Sequence, residues 1–232
     1  MRFQTPLIPA RLIKRYKRFL ANCTLDCGEV ITAHCANPGS MMGLAEPGTR
    51  IWLEPNDDPK KKLKFGWRLV DHENGHFTGV DTSLPNRALR AALTAREIAP
   101  FARYATVKPE VKYGENSRID FLLTDPVLPD AYVEVKSVTL SRQAELAEFP
   151  DSVTARGAKH LNELARVAQA GHRAVLFYLV QRTDCSRVAV ARDIDPVYGA
   201  AFDAARTAGV EVIAYDTLIS PQEVTIGRAL TT

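Results

Sequence analysis

A chain of 232 residues with 46% hydrophobic residues, 25% charged residues and a net charge of +3 is long enough to bury one large core or two small ones. That balance excludes a disordered or fibrous chain, and the small net charge excludes a protein that coats polyanions over its whole surface. The four cysteines, Cys23, Cys27, Cys35 and Cys185, lack the spacing of a disulfide-stapled secreted domain, no leader-like apolar segment opens the chain and no stretch reaches membrane-spanning length, so a cytoplasmic protein with reduced thiols and no membrane partner is expected.

The cations are unevenly placed. Arg2, Arg11, Lys14, Arg15, Lys17 and Arg18 fall in the first twenty positions with no acidic residue among them, and Lys60-Lys61-Lys62-Leu63-Lys64 forms a second run in a loop-like stretch. Such clusters either neutralise phosphates, releasing counterions, or simply solvate a face. Arg15, Lys17 and Arg18 are the first candidates for nucleic-acid contacts. Cys23, Cys27, His34 and Cys35 invite comparison with a zinc knuckle. However, the interval from Cys23 to Cys27 brackets a tight turn, and His34 and Cys35 point to opposite faces if their segment is a strand.

Residues 1–82 read as short strands broken by turns: 18–25 and 29–36 around Asp26-Cys27-Gly28, then 50–53, 63–70 and 76–80. Between them, Asn37-Pro38-Gly39-Ser40 is a turn in which Pro presets one backbone angle and Gly tolerates positive φ. Five short strands without a helix predict a compact barrel of the OB type, a fold that commonly grips oligonucleotides. Tyr16, Phe19, Phe65 and Trp67 intermix with the cations there, which fits either base stacking or barrel core.

At residue 83 the texture changes, and residues 83–232 predict an α/β domain with a mixed central sheet, giving an α+β/α/β chain overall. Residues 87–99 are rich in Ala, Leu and Arg and end before Pro100, predicting a helix. Three strands follow at 106–113, 118–124 and 131–138, the last two separated by a break holding Pro126 and Pro129. A second helix spans 154–170 with Gly171 as its stop. The near-continuous apolar run 173–180 predicts a strand covered on both faces. A third helix, 196–208, and a strand, 210–215, complete the order.

The chemistry-bearing pattern lies in Ala131-Tyr132-Val133-Glu134-Val135-Lys136-Ser137-Val138. Glu134 and Lys136 share one face of a strand while Val133 and Val135 enter the opposite layer, and an acid and a base among valines are costly to bury without a purpose. In Arg118-Ile119-Asp120-Phe121-Leu122-Leu123 a single carboxylate interrupts an apolar strand. If the two strands are neighbours, Asp120 and Glu134 converge. Two carboxylates suit Mg2+ or Mn2+, and Lys136 beside them suits a metal-bound water or a scissile phosphate. The competing reading is an exposed cross-strand ion pair. Glu97, four residues after Leu93 on the first helix, is predicted to face the sheet as an auxiliary acid. Arg156, Lys159 and His160 open the second helix, where cations and a helix N-terminus can hold phosphate; His160 also borders the apolar stripe and could be a packing histidine.

These motifs carry a resemblance. The stretch 114–139 resembles the core of the PD-(D/E)XK nuclease superfamily, with Asp120 as first acid and Glu134-Val135-Lys136 as the E-x-K element. The whole chain resembles the sugar fermentation stimulation protein family through Asn37-Pro38-Gly39-Ser40-Met41, Thr82-Ser83-Leu84-Pro85-Asn86, Arg118-Ile119-Asp120-Phe121-Leu122, Glu134-Val135-Lys136-Ser137-Val138-Thr139 and the run from Phe149 to Leu161. The resemblance implies an N-terminal OB-like domain, a nuclease-fold C-terminal domain, DNA binding and a role in regulating sugar (maltose) metabolism. The expectation is therefore a metal-dependent nuclease acting on DNA, or on RNA, with Asp120, Glu134 and the carbonyl of Val135 on the metal. The alternative is a DNA-binding regulator that does not cut. A homodimer is compatible with either.

Overall fold

The computed structural model describes residues 1–114 and 117–232, so two residues of the motif stretch 114–139 lie outside it. The first unit is a barrel of β1 (Ile8–Tyr16), β2 (Leu20–Leu25), β3 (Val30–Cys35), β4 (Arg50–Pro55) and β5 (Phe65–Asp71), to which β6 (Phe77–Gly79) is added on the edge of β5. The strand order β3-β2-β1-β4-β5 is closed by a parallel β3–β5 pairing, the ring connectivity of an OB barrel. Its interior holds Leu12, Ala21, Cys23, Cys35, Ile51, Leu53 and Trp67. Trp67 thus belongs to the core, its indole N–H donating to the Leu69 carbonyl. The reading from sequence omits β1, whose cations obscure an alternation in which Ala10 and Leu12 point inward and Arg11 and Ile13 outward.

The second unit is a six-stranded mixed sheet in the order β15-β14-β12-β9-β8-β7, formed by β7 (Thr106–Tyr113), β8 (Ser117–Thr124), β9 (Ala131–Val138), β12 (Arg173–Val180), β14 (Glu211–Ile219) and β15 (Val224–Ala229). The pairings β9–β12 and β12–β14 are parallel. One face packs on α1 (Leu84–Thr94) through Val133, Val135, Val175, Phe177 and Leu179. The other packs on α2 (Ala155–Gln169) and α3 (Pro196–Thr207) through Val138, Leu176, Tyr178 and Val180. Burial on both sides explains the apolar run of β12. A small sheet, β10 (Leu140–Gln143), β11 (Glu145–Phe149) and β13 (Cys185–Val190), flanks this core; sequence reading identifies none of its strands, nor β15.

The first helix differs from expectation in a way that moves a predicted site residue. It begins at Leu84 with Pro85 in its first turn, where the missing N–H costs nothing, and it ends at Thr94. Arg96 adopts φ 59°, with the Glu97 N–H bonded to the Ala92 carbonyl at 2.9 Å and the Arg96 N–H to the Leu93 carbonyl at 3.1 Å. This is a Schellman closure with arginine in the left-handed position. Glu97 lies outside the helix and is exposed, so its expected role as an acid facing the sheet is overturned.

The two units share a polar seam. Asp81 accepts from Arg68 and Arg87 on one oxygen and from the main chain and hydroxyl of Ser83 on the other. Gln181 on the second unit donates to the Asp81 carbonyl and to Ser137 Oγ. No helix is long and apolar enough to cross a membrane among the described residues.

Candidate active site

Asp120 sits where the β8–β9 ladder opens. The paired residues run from Leu123–Ala131 to Phe121–Val133, and the same register brings Asp120 opposite Glu134. There the strands splay, and the Asp120 carboxylate takes the place of a main-chain partner: its Oδ2 accepts from the Val135 N–H at 2.7 Å. Its Oδ1 accepts from Asn86 Nδ2 at 2.7 Å. Asn86 occupies the first turn of α1, so the helix that fails to deliver Glu97 delivers an amide at its other end.

Glu134 projects to the α2 side of the sheet and is 3% exposed. Its Oε1 accepts from Lys136 Nζ at 2.8 Å and contacts His160 Nδ1. Its Oε2 is buried with no partner. His160 Nε2 accepts from Arg156 Nε at 3.2 Å, which leaves Nδ1 as the ring nitrogen that donates to Glu134. The 3.3 Å approach of Lys136 Nζ to His160 Nδ1 is then a neighbouring contact and not a hydrogen bond. His160 is therefore neither a free phosphate ligand nor a packing residue: it fixes the Glu134 carboxylate.

The electrostatics separate the two acids. Burial, then the charge of Glu134, pushes the Asp120 carboxyl up to about 6, against the hydrogen bonds from Val135 and Asn86. Burial also raises Glu134, but the His160 hydrogen bond and the Lys136 charge outweigh it, and the net shift is downward. Two carboxylates whose environments drive them apart, one of them with an unsatisfied buried oxygen, form a cation-hungry arrangement. No three His, Cys, Asp or Glu side chains assemble into a metal cluster among the described residues. The acids brought together here are therefore two, Asp120 and Glu134. The same finding removes the zinc-knuckle reading: Cys23 and Cys35 lie buried in the barrel, Cys27 is exposed, all are free, and burial raises the Cys23 thiol to about 12.

The remaining predicted residues distribute differently. Arg15 donates to the carbonyls of Asn37 (2.8 Å), Gly39 (2.9 Å) and Arg18 (3.1 Å), so it anchors the 37–40 loop. Lys17 and Arg18 form the β1–β2 turn, both at positive φ (47° and 63°) and both exposed, beside an exposed Phe19 that stacks on His34. Lys159 is exposed and lies 3.8 Å from Glu163. Arg156 is engaged with His160. Sequence reasoning misses Asn86, though its place directly after Leu84-Pro85 marks a helix start.

An OB barrel joined to a mixed-sheet α/β domain, with an acid–x–lysine strand beside a second strand acid, defines the PD-(D/E)XK class of architecture. The family models agree on both units: the SfsA N-terminal OB domain matches residues 13–80 and the sugar fermentation stimulation protein RE domain matches residues 83–223. The chain belongs to the sugar fermentation stimulation protein (SfsA) family. It is 74% identical over 230 residues to the sugar fermentation stimulation protein homolog of Ruegeria sp. (strain TM1040), covering 99% of each chain. With the homolog of Roseobacter denitrificans it is 72% identical, covering 99% of this chain and 98% of that one. The solved structure of Pyrococcus furiosus SfsA in complex with Ca2+ superposes with a TM-score of 0.88 at 25% identity, covering 100% of this chain and 98% of that one.

Proposed function

We propose that this protein is a divalent-metal-dependent nuclease that hydrolyses phosphodiester bonds in nucleic acid. The observation that carries the reading is the bare, buried Glu134 Oε2 beside an Asp120 carboxyl displaced to about 6. A pair of acids in that state is compensated by a hard cation, and the donors are oxygens throughout, which suits Mg2+ or Mn2+. Asp120, Glu134 and the Val135 carbonyl would hold it. Bound there, such an ion supplies charge neutralisation on the phosphate and a more acidic water. The Pyrococcus furiosus relative was solved with Ca2+, a cation of the same oxygen-seeking kind, which supports the choice.

The protein's own groups divide the remaining work. Asn86 and the Val135 N–H orient Asp120. His160, its tautomer set by Arg156, occupies Glu134 Oε1 and leaves Oε2 as the open oxygen. Lys136, 12% exposed at its side chain, reaches the border of solvent and can hold a phosphate oxygen or the attacking water as charge develops. At the barrel, Lys17 and Arg18 make no ion pair among the described residues and supply phosphate contacts.

The test incubates purified protein with labelled single-stranded, duplex and branched DNA, and with RNA, in Mg2+, Mn2+ or EDTA. Metal-dependent cutting that disappears in Lys136→Ala and in Asp120→Asn is expected. Salt-sensitive binding without cutting would instead establish a DNA-binding regulator of sugar metabolism genes, in keeping with the name its relatives carry.

A further inference from the structure

A cavity of about 280 Å3 opens beside Lys136, built jointly by the two units. The barrel contributes Asn37, Pro38 and Thr82, while the α/β domain contributes Lys136, Phe149 and Pro150. The barrel wall is fixed in advance. Arg15 holds the carbonyls of Asn37 and Gly39, Asn37 donates from its side chain to the Val80 carbonyl at 3.1 Å, and the Met41 N–H reaches across to Asp151 Oδ2 at 3.2 Å. Gly39 allows this closeness: a Cβ there would lie 2.5 Å from Asp151 Oδ2. The opposite wall is equally firm, since the Phe149 ring rests against the buried rings of Tyr178 and Tyr198 at 5.6 and 5.2 Å.

The lining is one that recognises a planar, hydrogen-bonding ring. Phe149 and two prolines give it an apolar side, hydroxyls stand among them, and Glu148 and Asp151 also line it. Thr139, 6% exposed and lining the same cavity, makes no side-chain hydrogen bond among the described residues. The space suits one nucleotide and excludes a duplex, which would have to pair and stack the base that the pocket encloses. A phosphate held at the ammonium of Lys136, which lines the cavity, would put the attached base inside.

We propose that this interdomain pocket seats one unpaired base next to the scissile phosphate, so that the protein takes single-stranded nucleic acid, or a single-stranded end, in preference to duplex. The inference rests on the hydrolytic reading for what happens at Lys136, but the pocket itself can be tested without any cleavage. The Arg15-anchored loop then explains why the two units are held together: the barrel is one wall of the substrate site.

The experiment measures fluorescence anisotropy of a short labelled oligonucleotide, single-stranded or as blunt duplex, in EDTA, with DNA and RNA arms to tell the two sugars apart. Thr82→Trp and Ser152→Trp each place a ring at the pocket from an exposed position, one from each wall, and their melting temperatures report folding. Single strands should bind at least about tenfold more tightly than duplex, and both variants should lose about tenfold for single strands only. Equal affinity for the two forms, or single-strand affinity unchanged in both folded variants, overturns the pocket. If single-strand preference is blocked by tryptophan yet Mn2+ brings no cutting, the pocket stands and the nuclease reading falls. Cutting of duplex and single strands at equal rates removes the pocket and leaves the nuclease reading in place.

Discussion

Two buried acid–base networks lie on either side of Ser137, and they differ in one respect. At the seam, Glu54 accepts from the Gln4 N–H and from Arg68 Nε, while Asp81 accepts from Arg68, Arg87 and Ser83. Every carboxylate oxygen there has a donor. In the site, Asp120, Glu134, Lys136 and His160 are as deeply placed, yet Glu134 Oε2 has none. Burial of charge alone therefore does not mark function. The seam is closed at its carboxylates although the Gln181 amide oxygen there has no partner among the described residues, whereas the open oxygen of the site belongs to an ionisable acid, which is what a cation requires.

The largest expected effect breaks the site and spares the joint. Lys136→Ala should lower metal-dependent cleavage by about a thousandfold or more, the scale of losing one preorganised charge at a reacting phosphate. Its melting temperature should stay close to the parent, because the Glu134 oxygen it leaves still has His160. Cleavage within tenfold of the parent would remove Lys136 from the chemistry. Next in size is the reciprocal change. Arg68→Ala leaves the buried Glu54 Oε2 without a donor while Asp81 keeps Arg87 and Ser83, and should cost about 2 kcal/mol of stability, read by urea denaturation, while folded protein at low temperature still cuts. A loss below about 0.5 kcal/mol would show that Glu54 finds another partner.

A third prediction uses pH to sharpen the contrast. Asp120 titrates near 6 in the folded chain against an ordinary value of 3.8, so the folded state holds the proton more tightly. Its contribution to stability is complete below about pH 4 and is lost as pH rises through 6. The shift corresponds to something on the order of 2 kcal/mol. Glu134 is shifted the other way, so its contribution falls away only in more acidic solution and does not mask this window. In EDTA the melting temperature should therefore fall as pH rises from about 5 to about 7 and level off beyond it, and Mn2+ should restore it at about pH 8. Asp120→Asn should flatten the slope and abolish the Mn2+ effect. An unchanged slope in that variant would assign the pH dependence elsewhere.

What the sequence discloses follows from the range of the forces involved. β9 and β12 are legible to the residue because alternation and unbroken apolar runs are local signals, and Asp120, Glu134 and Lys136 stand out as charges inside such runs. Thr154 capping α2 through the Gly157 N–H and Asp195 capping α3 through the Tyr198 N–H likewise fix helix starts from nearby residues. Of the strands that escape, β10, β11 and β13 are short, and β11 and β13 are joined in parallel with each other across a long separation in sequence. The same holds within the site. The bond from His160 to Glu134 spans 26 positions and that from Asn86 to Asp120 spans 34, and no spacing rule reaches so far. Arg15 shows the limit most clearly: its charge suggests phosphate, and its geometry binds carbonyls.

The smallest expected effect concerns Glu97. Helical spacing from Leu89 and Leu93 places it against the sheet only if the helix continues. The Schellman closure stops it at Thr94, and Arg96 in the left-handed region turns the chain so that Ile98, 1% exposed, enters the core. Glu97 is left in solvent at the turn, with Asn86 supplying from the other end of the helix the polar contact to Asp120. Glu97→Ala should leave cleavage within about twofold and stability within about 0.5 kcal/mol. Replacing Arg96 by Gly, which relieves the left-handed backbone, should stabilise by a few tenths to about 1 kcal/mol. A tenfold loss of cleavage in Glu97→Ala would mean that the helix extends when substrate binds, returning this acid to the site.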